Sequence, residues 1–258
     1  LGDDLSSFVL EAPRGKKKLQ KIWDDVRLYF RIIRPFGRKP VLLTQAPGYN
    51  DPFHGPIRKM VFRKDRYLLG KKLSLPTIYG TEFILYGLTL ADINEDGKNE
   101  IVMLDKDGHL RVYSASGRVL VKSNESYGRD PRLIEVGVRE DVAGIVRVGD
   151  PVQYRGRLSF IRQGAKRYLV LPKIESAGGN LLPGLVLNPN SRMAFLNLTR
   201  EGFEKSFEMR KQKGYLAGYS ILKAQKNSPE SLHMATVVEK RGLGGKTLST
   251  IYTYFWQK

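Results

Sequence analysis

Between Ile101 and Val121 three short apolar runs follow one another with only tight turns between them. Ile101-Val102-Met103-Leu104 turns at Asp105-Lys106-Asp107-Gly108 into Leu110-Arg111-Val112-Tyr113. That run turns at Ser114-Ala115-Ser116-Gly117 into Arg118-Val119-Leu120-Val121. Asp-Gly and Ser-Gly supply the positive φ angles that such turns need. A parallel pairing needs a crossover far longer than these loops, so the runs must pair as an antiparallel meander. Leu85 to Leu90, just ahead, offers a further strand. Four up-and-down strands make one blade of a β-propeller.

The rest of the chain is punctuated in the same way. Apolar residues alternate or run in short blocks, and Gly, Pro, Asn and Asp interrupt them about every 8–12 residues, as in all-β domains. Phe8-Val9-Leu10-Glu11 turns at Pro13-Arg14-Gly15 into Leu19-Gln20-Lys21-Ile22-Trp23. Gly87-Leu88-Thr89-Leu90 before Asp92 has a counterpart in Gly218-Tyr219-Ser220-Ile221 before Lys223, each followed by a polar loop and a strand-like run. Similar units begin at Leu158-Ser159-Phe160-Ile161 and Tyr29-Phe30-Arg31-Ile32-Ile33. The units recur at roughly 45–70 residues, which suits four-stranded blades with some long loops. The expected fold is all-β: one β-propeller domain over 1–258, N-terminally incomplete, with a partial blade at 1–30 and blade-like repeats at about 31–78, 83–125, 157–209 and 215–258. Tyr252 and Tyr254 share one strand face and Ile251, Thr253 and Phe255 the other, a pattern expected of a strand buried on both sides.

The chain has 258 residues, 41% of them hydrophobic and 27% charged, a balance typical of folded domains and not of disordered ones. It has no cysteine, which excludes disulfides, zinc–thiolate sites and cysteine nucleophiles. The longest nearly uncharged apolar stretch, Phe83 to Ala91, is far shorter than the ~20 residues of a membrane-spanning helix. The formal net charge is +18, which favours anionic partners.

The residues most suggestive of chemistry are Asp92-Ile93-Asn94-Glu95-Asp96-Gly97-Lys98-Asn99-Glu100. Oxygen-bearing side chains fall at the first, third, fifth and ninth positions, with glycine at the sixth. Calcium is a hard cation that takes about six to eight oxygens, and alternate residues of a curled loop can all point inward. The expected ligands are Asp92, Asn94, Asp96, the carbonyl of Lys98, and Glu100. The loop is not an EF-hand, because the twelfth position is Met103 instead of a bidentate glutamate and the flanks read as strands.

Leu90-Ala91-Asp92 through Glu100-Ile101-Val102 resembles the VCBS/FG-GAP repeat, in which an aspartate-rich loop of this form links the first two strands of each blade. The resemblance extends to Leu5–Glu11, Gly55-Pro56-Ile57, Leu110–Tyr113 with Gly117–Leu120, and Lys213-Gly214-Tyr215. It implies a bacterial propeller protein outside the cytoplasm, periplasmic or on the cell surface and in some cases a lipoprotein, with one or more blades, a small domain and an export signal ahead of Leu1. The corresponding loops elsewhere depart from the pattern. Arg34–Lys39, Arg162–Arg167 and Lys223–Asn227 carry cations where the family carries carboxylates, so they cannot chelate calcium. If the repeats are correctly aligned, all of these loops lie on one rim.

Other motifs carry little. Gly245-Lys246-Thr247 resembles the end of a phosphate-binding loop, but the leading glycine is replaced by Lys240. His54, His109 and His233 are isolated, without metal-binding spacing, and there is no Gly-x-Ser-x-Gly elbow. The functional expectation is a non-catalytic, extracytoplasmic, calcium-binding module that docks a protein or an anionic polymer. The alternative is an enzyme acting on an anionic polysaccharide, which no triad or second metal cluster supports. Nucleic acid is disfavoured as a partner, since there is no reader motif and no basic-aromatic platform.

Overall fold

The computed structural model describes residues 7–11, 18–35, 39–48, 52–64, 66–75, 83–105, 107–127, 133–134, 139–140, 146–147, 152–153, 156–163, 166–175, 190–199, 202–222, 231–239 and 247–255. Among them every regular element is a strand. Strands β1 (Ser7–Glu11) and β2 (Gln20–Val26) form a two-stranded pair; the turn that joins them, with Arg14 to Lys17, lies outside the described residues. Strands β3 (Tyr29–Ile33), β4 (Val41–Ala46), β5 (His54–Arg63) and β6 (Arg66–Lys72) make a four-stranded antiparallel sheet, here sheet I. Strands β7 (Leu88–Ala91), β8 (Glu100–Leu104), β9 (His109–Tyr113) and β10 (Val119–Ser126) make a second four-stranded sheet, sheet II.

Four two-residue strands follow: β11 (Leu133–Ile134), β12 (Arg139–Glu140), β13 (Val146–Arg147) and β14 (Val152–Gln153). Sheet III contains β15 (Ser159–Gln163), β16 (Lys166–Glu175), β17 (Asn190–Thr199) and β18 (Gly202–Glu208), with the short β19 (Gln212–Lys213) also paired to β17. Strands β20 (Tyr215–Leu222), β21 (Ser231–Glu239) and β22 (Thr247–Phe255) form sheet IV, in which the described residues show three strands.

The sheets stack in chain order, and the period-2 alternation of side chains explains how. In β8, Ile101 and Met103 join Leu43 and Ile57 of sheet I in one buried cluster. Val102 and Leu104, on the opposite face, join Leu169, Leu171, Ala194 and Leu196 of sheet III in another. In β16 and β17 the complementary face carries Tyr168, Val170, Met193 and Phe195, which pack with Leu216 and Met234 of sheet IV. Sheets II and III are therefore covered on both sides, which is why β8 and the middle of β16 read as continuous apolar runs and not as alternating ones. Trp23 of β2 packs on Phe30 and stacks on Tyr67, so the first pair covers part of the outer face of sheet I. The described residues do not show the stack closing into a ring.

The sheets also share a direction. Gln45, opposite Tyr29 in register, takes a hydrogen bond from the Leu85 amide and donates to the Phe83 carbonyl, while Arg31 donates to the Leu85 carbonyl. The start of β3 thus lies beside the start of β7. The Ile174 amide, near the end of β16, donates to the Tyr127 carbonyl just past β10. The Ser191 hydroxyl donates to the Gly214 carbonyl at the start of β20. The first strand of each sheet accordingly starts at one rim, and its first turn emerges at the other.

Candidate metal centre

The loop Asp92–Asn99 joins β7 to β8, and Ala91 and Glu100 are paired in register at its neck. Its side chains fold back onto its own backbone. Asp92 Oδ2 accepts from the Gly97 amide at 2.9 Å, and Asn94 Oδ1 accepts from the Asp96 amide at 3.1 Å. Asp96 Oδ1 accepts from the Lys98 amide at 2.8 Å, and Glu100 Oε2 accepts from the Ile93 amide at 2.8 Å. These bonds curl the loop into a series of short side-chain-closed turns, the local preference of Asx residues. Gly97 has φ +83°, and a β-carbon there would meet no other atom within 4 Å, so it is the backbone angle, not crowding, that asks for glycine. Ile93 is 4% exposed and sits in the cluster between sheets II and III, which pins the loop to the core.

Asp92, Asp96 and Glu100 therefore each commit one oxygen to a backbone amide. The second oxygen of Asp92, Oδ1, is buried and has no hydrogen-bond partner, as is Oδ1 of Asn99. Asp96 Oδ2 has only a long contact, 3.3 Å, from the side-chain Nδ2 of Asn94. Glu100 is 2% exposed, and its pKa is raised: burial is the main cause, and the charges of Asp96 and Asp92 push in the same direction, against the bond from Ile93. Clustered carboxylates in a partly buried loop, with an orphaned oxygen, are the electrostatic complement of a hard cation. The residues fit calcium on that count. Among the described residues, however, no group of three or more His, Cys, Asp and Glu side chains converges as a metal site. The expected ligand set would use the Asn94 amide oxygen and the Lys98 carbonyl to complete its shell.

Sequence reasoning missed the surroundings of the loop. Glu95, a non-glycine residue at φ +62°, reaches across to sheet III and pairs with Arg167 at 3.0 Å. This contact places Arg167, near the start of β16, beside the loop between β7 and β8, on the same rim. The first turn of sheet I, flanked by Arg34 and Lys39, emerges at that rim as well; residues 36–38 and 223–227 lie outside the described residues. An aspartate-rich motif signals its own ligands, but nothing in its spacing signals an ion pair to a residue 72 positions away.

On the opposite rim a second charged cluster ties sheets II and III together. Lys173, 8% exposed at its side chain, pairs with Glu125 of β10 and with Glu208 at 3.0 Å. Glu208 also lies 2.9 Å from Arg192 Nε and 2.9 Å from Lys205 Nζ, while Glu175 pairs with Arg192 and Lys211. Arg192 Nε makes a charge contact with Glu208 but is not aligned for a hydrogen bond. Tyr127 lies against the Lys173 ammonium, and its hydroxyl is pushed up to about 12, first by burial and then by the Glu125 and Glu208 charges. The cluster pairs its charges internally, which marks it as structural.

Other candidates disperse. His109 lies 3.7 Å from Asp105, whose carboxylate is already engaged by Arg111 and two backbone amides. Residues 245 and 246 lie outside the described residues, and Thr247 opens strand β22, whereas a phosphate-binding loop is followed by a helix. Tyr252 and Tyr254 pack toward sheet III as expected, but Ile251 on the other face is 72% exposed, because no described element covers that side of sheet IV. No described helix is long and apolar enough to cross a membrane. Comparison with protein-family models, curated proteins and solved structures finds no match to this chain.

Proposed function

We propose that the chain is part of a β-propeller of the VCBS/FG-GAP kind that acts outside the cytoplasm as a non-catalytic binding or scaffold module, with one calcium ion held by the loop between β7 and β8. The observation that carries the reading is the buried, unpartnered Asp92 oxygen beside the desolvated Glu100. Asp92, Asn94, Asp96, the Lys98 carbonyl and Glu100 would hold the ion, and the ion would neutralise carboxylates that otherwise repel one another. Calcium is plentiful outside cells, so even a weak site stays filled there. The stacking of four-stranded antiparallel sheets in chain order supports the propeller reading. The partner in this reading is a protein or an anionic polymer, and the protein has the exported or lipoprotein character that the family resemblance implies.

Calorimetric melting of the protein in calcium and in chelator tests the metal. A ligand that binds only the folded state stabilises it by mass action, about 2.7 kcal/mol when its concentration is a hundred times Kd. The expected result is a higher melting temperature in calcium, with Asp96→Ala removing that difference. Identical melting of the parent protein in both conditions, with no calcium taken up in equilibrium dialysis, would reduce the loop to a turn.

A further inference from the structure

The loop Asp92–Asn99 is fastened to sheet III at two points that flank Asn94. Ile93, 4% exposed, packs in the cluster that contains Leu169 and Leu171 of β16 and Leu196 of β17. Glu95 pairs with Arg167 Nη1 at 3.0 Å; the side chain of Glu95 is 59% exposed and that of Arg167 only 12%. Both anchors lie in the stretch that supplies Asn94 and Asp96, two of the ligands assigned to calcium above. The loop therefore takes its position from sheet III as well as from its own turns.

Local preference does not explain Glu95. Its φ of +62° is a left-handed angle, which suits glycine or asparagine and which glutamate rarely adopts. Asp92, Asn94, Asp96 and Glu100 each accept a backbone amide of the loop, whereas Glu95 reaches to another sheet. There Arg167 stands opposite Arg162 across the β15–β16 pair, a like-charge arrangement that a carboxylate from sheet II relieves. Charge points the same way. Asp92 to Glu100 contains four carboxylates against one lysine, an excess of three negative charges. A calcium ion balances two of them, and the Arg167 guanidinium balances the third. Two buried oxygens of the loop, Asp92 Oδ1 and Asn99 Oδ1, have no hydrogen-bond partner, which suits a cation there, while the Glu95 carboxylate is engaged by Arg167.

We propose that Glu95 and Arg167 are positioning residues for the calcium site: their ion pair holds the β7–β8 loop against sheet III in the shape that presents Asn94 and Asp96 to the ion. This role rests on the calcium reading given above and falls to residues outside the ligand set. Groups that hold metal ligands in place commonly set affinity by about 10–100-fold. Linkage makes the effect reciprocal. Whatever the pair adds to calcium affinity, calcium adds to the strength of the pair, so the bound ion also ties sheet II to sheet III. Because the two side chains carry opposite charges, removing each in turn separates positioning from simple attraction. Loss of the Glu95 charge weakens calcium binding on either account. Loss of the Arg167 charge takes a cation away from the site, which tightens calcium binding if the field alone matters and weakens it if the pair positions the loop.

The test is calcium titration of the whole chain by isothermal calorimetry, at a temperature where circular dichroism shows the variants folded. Glu95→Gln and Arg167→Gln are each expected to bind calcium about tenfold more weakly than the parent. The double variant is expected to bind no more weakly than the weaker of the two, the signature of groups that act as a pair. Glu95→Asp keeps the charge but shortens the reach, on an exposed side chain, so it reads positioning even if Arg167→Gln does not fold. It is expected to bind several-fold more weakly than the parent. Parent-like binding by Glu95→Asp, or binding by Arg167→Gln as tight as the parent's or tighter, would overturn the positioning role and leave the calcium site standing. Losses that multiply in the double variant would do the same. A parent protein that takes up no calcium would remove the site itself, and the positioning role with it.

Discussion

Glu208→Ala is expected to destabilise the protein by about 3 kcal/mol at neutral pH, read as a shift in urea midpoint with unchanged slope. Glu208 is the shared anion for Lys173, Arg192 and Lys205, and its removal leaves Lys173, 8% exposed, with Glu125 as its remaining carboxylate. Burial alone would raise the Glu208 pKa, but the hydrogen bonds from Lys205 and Lys173, with the charges of Lys173 and Arg192, outweigh it and hold the pKa below the ordinary glutamate value. Glu175 is held low as well, chiefly by its bond from Lys211. A carboxylate with a depressed folded pKa contributes its full stability above the unfolded pKa of about 4.3 and loses it as pH falls through the folded value. The gap between parent and Glu208→Gln should therefore be widest near pH 7 and shrink below about pH 4. A gap that stayed constant across that range would show that Glu208 acts by packing and not by charge.

Phe195→Ala should cost about 3–5 kcal/mol, the range for deleting a fully buried phenylalanine. Phe195 is 0% exposed, lies in the cluster shared by sheets III and IV, and stacks on Phe207 with ring centroids 4.1 Å apart. Phe207→Ala is the informative contrast. Phe207 is 39% exposed, so little cavity is left behind, and the expected loss is about 1 kcal/mol, mostly the ring–ring contact. Measured by chemical unfolding, a Phe195→Ala loss no larger than that of Phe207→Ala would mean that sheet IV does not pack on sheet III in solution.

The contrast between the two phenylalanines also separates what each level of description determines. Hydrophobic runs and turn residues are local, so the meander from β7 to β10 and most strand positions follow from the sequence. Asp105-Lys106-Asp107-Gly108 can close only a tight antiparallel turn, whatever lies around it. The curled loop Asp92–Asn99 is local too: its bonds span between two and seven residues, and side-chain spacing alone anticipates them.

The strand count of sheet IV and the exposure of Ile251 depend on which neighbours cover an edge or a face, and an apolar strand cannot state that by itself. The same holds for Phe195 and Phe207, both apolar in adjacent strands, one sealed and the other open. Charge shows the limit most clearly. Lys173 and Arg63 are alike as letters in a basic sequence, yet one is neutralised among carboxylates joining two sheets and the other faces an arginine on the opposite rim. Sequence spacing determines which side chains share a turn or a strand face, because those distances are set by the backbone. Only the stacking of sheets decides which charges meet, because those contacts join residues far apart in the chain through packing that no local pattern encodes.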